Sequence, residues 1–202
     1  RGTFTKNNLD FAQDVYHIAD DLGFDQLSVE PVIADESEPY ALTEADLPKI
    51  YEEYEKLAVE MIRRKKEEGG CFNFFHFMIN LDQGPCAIKR LRGCGCGNEY
   101  VSVTPDGDIY PCHQFVGHDE WKMGNIEDGT LDTSIKDKFG CSNVYTKEGC
   151  KDCWCKFYCS GGCNANNYSF NKNIDKPVKL SCDIERKRVE CAVMIKVAMA
   201  DK

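Results

Sequence analysis

Cysteine is the residue type whose number and spacing in this 202-residue chain point to chemistry: there are thirteen, and all but Cys71 and Cys86 lie from Cys94 onward. The densest run holds Cys150, Cys153, Cys159 and Cys163 in the spacing CxxCx5Cx3C, and Cys182 follows nineteen residues later. Four thiolates meeting on one iron–sulfur cluster need short gaps, so that one loop wraps several corners, and a distant cysteine for the last. Cys150, Cys153 and Cys159 are therefore natural partners for Cys182. Cys163 is placed to cross to a neighbouring cluster, as the final cysteine of a run does in two-cluster ferredoxins.

A second group begins at Cys94-Gly95-Cys96-Gly97 and ends at Cys112. Between them, alternating strand residues flank Pro105-Asp106-Gly107, which predicts a β-hairpin with Gly107 at positive φ. The hairpin brings its open ends together, so Cys94, Cys96 and Cys112 can share one metal with Cys163. Disulfides fit this pattern poorly, because the count is odd and several cysteines are too close in sequence to pair. Zinc fits the CxxC pairs but gives no reason for a run whose last cysteine serves the other site.

The pattern Cys94-x12-Gly107-x4-Cys112, then Cys150-x2-Cys153-x5-Cys159-x3-Cys163, then Cys182 resembles the SPASM extension of radical S-adenosylmethionine enzymes over roughly residues 86 to 190. That resemblance implies two auxiliary [4Fe–4S] clusters behind a partial TIM barrel. Cys94, Cys112 and Cys163 would hold the first, with Cys96, Cys141 or Cys86 as the fourth ligand or the position left open to a substrate thiolate. Cys150, Cys153, Cys159 and Cys182 would hold the second. The CxxxCxxC motif of the cluster that cleaves S-adenosylmethionine does not occur in these 202 residues. The expectation is thus the C-terminal part of a longer enzyme, inactive alone, whose complete form adds a third [4Fe–4S] cluster and S-adenosylmethionine.

Cys-Gly-Cys-Gly, with Pro111-Cys112-His113-Gln114-Phe115 and Met123-Gly124-Asn125, is most similar to the maturases of cysteine-rich SCIFF (ranthipeptide) precursors, which form thioether bonds. The implied partners are a cysteine-rich precursor peptide, a reductant such as ferredoxin or flavodoxin, and the missing N-terminal radical portion. Sulfatase-maturing, sactipeptide and quinone-cofactor maturases share the seven-cysteine frame and stand as alternatives, as does a two-cluster electron-transfer module. No catalytic residue is singled out.

The elements that must position these cysteines read as an α/β fold, and the resemblance implies the last repeats of a partial TIM-type (β/α) barrel over 1–85, then a loop-rich SPASM domain over 86–202 with one hairpin, two clusters and a closing helix from about Asp183. Leu9 to Leu22 carries Phe11, Ala12, Val15, Ile18, Ala19 and Leu22 on one helical face, and Gly23 ends it. A β-rich run from Gln26 to Ile33 follows. Thr43 caps a long helix with Leu47, Ile50, Tyr51, Tyr54, Leu57, Ala58, Met61 and Ile62 along one stripe, and Gly69-Gly70 closes it. Cys71 to Leu81 fits a buried strand or the helix after one. Glu30, at a strand end where α/β barrels collect ligands, is a candidate S-adenosylmethionine contact or else a salt bridge. Trp154, Phe157 and Tyr158 are expected to shield a cluster, and Gly161-Gly162 to let backbone approach it. Texture changes near Gln83-Gly84-Pro85-Cys86, where the boundary is set.

A formal charge of −9 argues against a nucleic-acid footprint, and the basic patches Arg63 to Lys66 and Arg186 to Arg188 are expected to be solvated helix faces. No apolar run approaches the ~20 residues of a membrane span. The expected compartment is the cytoplasm.

Overall fold

The computed structural model describes residues 1–81 and 86–200, so the sequence turn at Gln83, Gly84 and Pro85 lies outside the described residues. The chain divides into two compact units, Arg1–Pro85 with Lys179–Lys202, and Cys86–Val178.

The first unit alternates strand and helix. Strand β1 (Gly2–Phe4) leads to helix α1 (Phe11–Tyr16), which continues as a π-helical turn over His17–Asp21. The expected strand over 26–33 is interrupted at Ser28 into β2 (Gln26–Leu27) and β3 (Val29–Pro31). Long helix α2 (Leu47–Glu67) and strand β4 (Asn73–Phe74) follow. β3 pairs in parallel with β1, and β2 in parallel with β4, so the interruption lets one extended segment bond a neighbour on either side. Parallel pairing requires a crossover, and α1 and α2 supply it.

Local signals set the helix ends. Asp46 accepts hydrogen bonds from the backbone N–H and the hydroxyl of Thr43, half of a capping box that fixes the turn leading into α2. The stripe from Ile50 to Met61 is buried as its spacing predicts. Phe4 stacks on Phe11 with ring centroids 4.3 Å apart, and Phe11 meets Tyr54 edge-on at 4.9 Å. Truncating one such ring to alanine costs about 3–5 kcal/mol. Leu22 departs from the expected face: it is exposed, because the π-turn rotates it off the core.

Helix α6 (Lys179–Ala200) starts four residues before the expected Asp183 and packs Ile184, Cys191, Ala192 and Ile195 into this same core. The basic patch at 186–188 is only partly solvated. Arg188 is buried, its Nε donating to Tyr54 Oη at 2.9 Å and its other nitrogens lying 3.4 Å from Glu30 and Glu185.

The second unit carries the predicted hairpin, β5 (Ser102–Val103) antiparallel to β6 (Asp108–Tyr110), with Gly107 at φ +81° in its turn. It is larger than one hairpin. β7 (Gly124–Asn125) pairs with β6, and β8 (Thr130–Leu131) with β7, giving a four-stranded antiparallel meander. Helix α3 (Thr133–Cys141) follows, capped by Asp132 accepting from Ser134 N–H at 2.8 Å. Short α4 (Lys156–Cys159) and α5 (Asn164–Asn171) complete the unit.

Candidate metal centre

The hairpin does what its spacing implies, delivering Cys112 from the end of β6 to the loop that carries Cys94 and Cys96. Gly97 locks this arrangement by donating its N–H to the carbonyls of Tyr100 and Pro111, both at 2.9 Å. It holds φ +73°, and a Cβ there would lie 2.7 Å from Phe139 Cγ, so only glycine lets the loop fold this tightly over the ring.

Three sulfurs meet in this loop. The thiol of Cys96, 4% exposed, is close enough to those of Cys94 and Cys112 for all three to influence one another's titration. The neighbouring Cys96 thiol, first of all, holds Cys94 and Cys112 below the ordinary thiol value, against the effect of burial. For Cys112, the backbone N–H groups of Gln114 and Phe115 add to the effect. Cys96 is pushed upward by the same two neighbours and by burial. The trio thus places three sulfur donors in one loop, and a bound metal would favour their thiolate forms.

Cys163 is the residue immediately before α5 and packs against the apolar cluster that contains Cys96 and Cys112. A polar donor also faces a sulfur at three places: Tyr100 Oη at 3.7 Å from Cys94, Asn164 Nδ2 at 3.6 Å from Cys96, and Gln114 Nε2 at 3.9 Å from Cys163. Of the three candidates for a fourth ligand here, Cys96 is in the group, while Cys86 and Cys141 are exposed.

The CxxC run winds through successive turns. Cys153 N–H donates to the Cys150 carbonyl at 3.1 Å, Cys159 N–H to the Cys155 carbonyl at 2.9 Å, and Ser160 takes a left-handed conformation that ends α4. Cys150 is buried, and Cys153 and Cys159 are half-buried. Cys182 is half-buried near the start of α6 in the first unit. No cysteine is joined to another by a disulfide among the described residues.

Of the aromatic residues between the later cysteines, Trp154 is 59% exposed, while Phe157 and Tyr158 are half-buried. An aromatic wall that the sequence did not announce stands at the first group: Phe115, Trp121 and Phe139, with centroids 5.3–5.5 Å apart, pack with Cys96 and Cys112. The backbone at Gly161 approaches a side chain, that of Lys147, which is 2% exposed. Lys147 has no hydropathy signature, and nothing in its sequence context announces a buried cation. Glu30, for its part, is engaged by Arg188 at 3.4 Å and Arg1 at 3.9 Å, with His76 Nε2 at 3.5 Å from it.

The residues of the first group fit an iron–sulfur cluster: the donors are all sulfur, the pocket is walled by aromatic rings, and N–H or O–H groups point at the sulfurs. Among the described residues, no three His, Cys, Asp or Glu side chains are arranged to hold a single metal ion. No described helix is long and apolar enough to cross a membrane.

Comparison with known proteins agrees with this geometry. Residues 94–154 match the family model of SPASM, an iron–sulfur cluster-binding domain. A cysteine-type anaerobic sulfatase-maturating enzyme of Clostridium perfringens (strain 13 / Type A) is 36% identical over 85 residues, which is 38% of this chain and 22% of that protein. Its counterpart in strain ATCC 13124 is 33% identical over 84 residues, with the same coverage. Among solved structures, native anSMEcpe with bound AdoMet superposes with a TM-score of 0.68 at 21% identity, over 98% of this chain and 56% of that one. Native anSMEcpe with bound AdoMet and Kp18Cys peptide superposes with 0.64 at 22%, over 97% and 56%. The chain therefore spans about a fifth of the curated relatives and about half of the solved ones. It shares the fold of these AdoMet-bound structures and carries, over residues 94–154, a segment similar to the SPASM iron–sulfur cluster-binding domain.

Proposed function

We propose that this chain serves a radical S-adenosylmethionine peptide maturase by holding two auxiliary [4Fe–4S] clusters. Cys94, Cys96, Cys112 and Cys163 hold the first. Cys150, Cys153 and Cys159 hold the second, with Cys182 assigned as its fourth ligand on sequence spacing. The observation that carries the reading is geometric: the hairpin returns Cys112 to the loop of Cys94 and Cys96, and Cys163 packs against the same apolar cluster as Cys96 and Cys112.

Clusters of this kind supply one-electron transfer at low potential. The protein's own residues do the rest. Phe115, Trp121 and Phe139 keep water from Cys96 and Cys112, Tyr100, Asn164 and Gln114 donate to sulfurs of the group, and Gly97 holds the loop in place. With Cys96 as fourth ligand, no coordination position is left for a substrate thiolate. The first site then passes electrons and does not anchor substrate.

The substrate class we infer is a cysteine-containing peptide, in keeping with the peptide-bound structure that shares this fold. The SCIFF-like motifs favour thioether formation. Maturation of a sulfatase is the second reading, favoured by the curated relatives. AdoMet, a third cluster and an external reductant such as ferredoxin or flavodoxin belong to the complete enzyme on either reading.

The test is anaerobic reconstitution of the 202-residue chain with iron and sulfide. Two clusters require about eight iron atoms per chain and a brown protein. Replacing Cys94 and Cys112 together by alanine should halve the iron, and replacing Cys150 and Cys159 should remove the other half. A colourless protein that takes up zinc instead would end the proposal.

A further inference from the structure

A lysine buried among cysteines is costly to keep, and here its hydrogen bonds dictate the orientation of its neighbour. Lys147 Nζ donates to the Gly161 carbonyl at 2.9 Å and to Asn164 Oδ1 at 2.5 Å. An ammonium has only donors, so the oxygen end of the Asn164 amide must face Lys147. The NH2 end is thereby turned toward Cys96, where Nδ2 lies 3.6 Å from Sγ. Asn164 is itself 5% exposed, so no water competes freely for either end.

Gly161 makes room for this arrangement. It sits at φ +83°, and a Cβ there would lie 2.8 Å from Lys147 Cδ, so the lysine stem runs directly against the glycine backbone. Lys147 is also within electrostatic reach of Cys150, Cys159, Cys96 and Asp175. One cation therefore faces thiols of both cysteine groups while being hydrogen-bonded, through Asn164, to only one of them.

We propose that Lys147, with Asn164 as its positioning partner, sets the reduction potentials of the two iron–sulfur clusters, by charge on both and by a relayed hydrogen bond on the first alone. This inference rests on the two-cluster reading above. When an external low-potential reductant delivers one electron, the cluster gains one negative charge. A fixed cation in a dry interior stabilises that added charge, and an N–H aimed at a ligand sulfur does the same over a shorter range. Removing Lys147 therefore makes both clusters harder to reduce. Removing the Asn164 amide affects only the cluster that Cys96 serves.

The experiment is a dithionite titration of the reconstituted chain with redox mediators, each reduced cluster being followed by its electron paramagnetic resonance signal. Lys147→Met should lower both midpoint potentials, with the reduced-to-oxidised ratio at fixed ambient potential falling about tenfold, equivalent to about 59 mV for one electron. Asn164→Leu should lower the potential of the first cluster and leave the second unchanged. Lys147→Arg, which keeps the charge, should keep the second potential near wild type. Full iron content with unaltered potentials in Lys147→Met overturns the proposal. If Lys147→Met holds no iron, Asn164→Leu decides: an unmoved first potential overturns it, and a selective fall sustains it. A wild-type chain that binds no iron defeats the cluster reading itself, which is a separate and visible failure.

Discussion

The carboxylate of Glu53, in the middle of α2, accepts the backbone N–H of Ala12 in the first turn of α1 at 3.2 Å. Asp10, the N-cap residue of α1, makes no side-chain capping bond, so Glu53 caps that helix from another element. Lys49 and Lys56 lie 3.0 and 2.8 Å from its other oxygen. Replacing Glu53 by leucine orphans the Ala12 amide, with an expected loss of about 1–3 kcal/mol in urea unfolding. An unchanged midpoint would show that the cap contributes nothing.

The same carboxylate predicts a pH dependence. Burial works to raise its pKa, but hydrogen bonds from Lys56, Lys49 and the Ala12 amide outweigh it, and Glu53 titrates below its ordinary value. A depressed folded-state pKa gives stability that is fully present above the unfolded value of about 4.3 and is lost as pH falls through the folded one. The stability gap between wild type and Glu53→Gln should therefore be flat from neutral pH to about 4.3 and narrow below it. Urea midpoints measured along that range check this, and a gap that widens on acidification would refute it.

Cysteine choice at the first group gives a sharper contrast. Cys96 is buried in one cluster with Cys112, whereas Cys86 and Cys141 are exposed. Cys96→Ala should lower the iron bound by the first group, read as iron per chain after anaerobic desalting. Cys86→Ala and Cys141→Ala should leave it at the wild-type level. Equal iron in all three would mean that the first cluster keeps an open position.

What could be read from sequence divides along physical lines. The α2 stripe and the Gly107 turn were legible because periodicity and positive φ are local demands, met by neighbours a few residues away. The meander beyond β6 was not, since two-residue strands at Gly124–Asn125 and Thr130–Leu131 are too short to show alternation. Glu53 was hidden for the opposite reason: a charged residue inside an apolar stripe reads as surface until its partner on α1 is known. Arg188 and Lys147 failed likewise, because a buried cation is recognised only by the oxygens and rings around it, which come from distant segments. Cysteine spacing named candidates for sharing a metal, yet only the fold shows that Cys96 is buried with Cys112 while Cys86 and Cys141 are exposed.

Tyr54 tests the buried cation of the first unit. Its hydroxyl accepts from Arg188 Nε at 2.9 Å, and burial pushes its phenol up to about 12. Tyr54→Phe leaves that guanidinium nitrogen unpaired in the interior, with an expected loss of about 1–3 kcal/mol. Combining it with Arg188→Met should cost less than the sum of the two single losses, because the donor that was stranded is gone. Strict additivity in thermal unfolding would show that the two side chains act independently.

Gly97 separates local backbone strain from damage to the metal group. Gly97 and Gly149 have nearly the same left-handed φ, +73° and +68°, but a Cβ at Gly149 meets nothing within 4 Å, whereas one at Gly97 meets Phe139 Cγ at 2.7 Å. Alanine at either position carries the left-handed penalty of roughly 1–2 kcal/mol. Only Gly97→Ala must also displace the Phe139 ring or open the loop, and Phe139 walls the group containing Cys96 and Cys112. Gly97→Ala should therefore lose iron from the first group while keeping the second, and Gly149→Ala should keep both with a comparable intrinsic loss of stability. Matching iron content in the two variants would mean that the loop tolerates the displacement and that its close packing on Phe139 does not hold the cysteines in place.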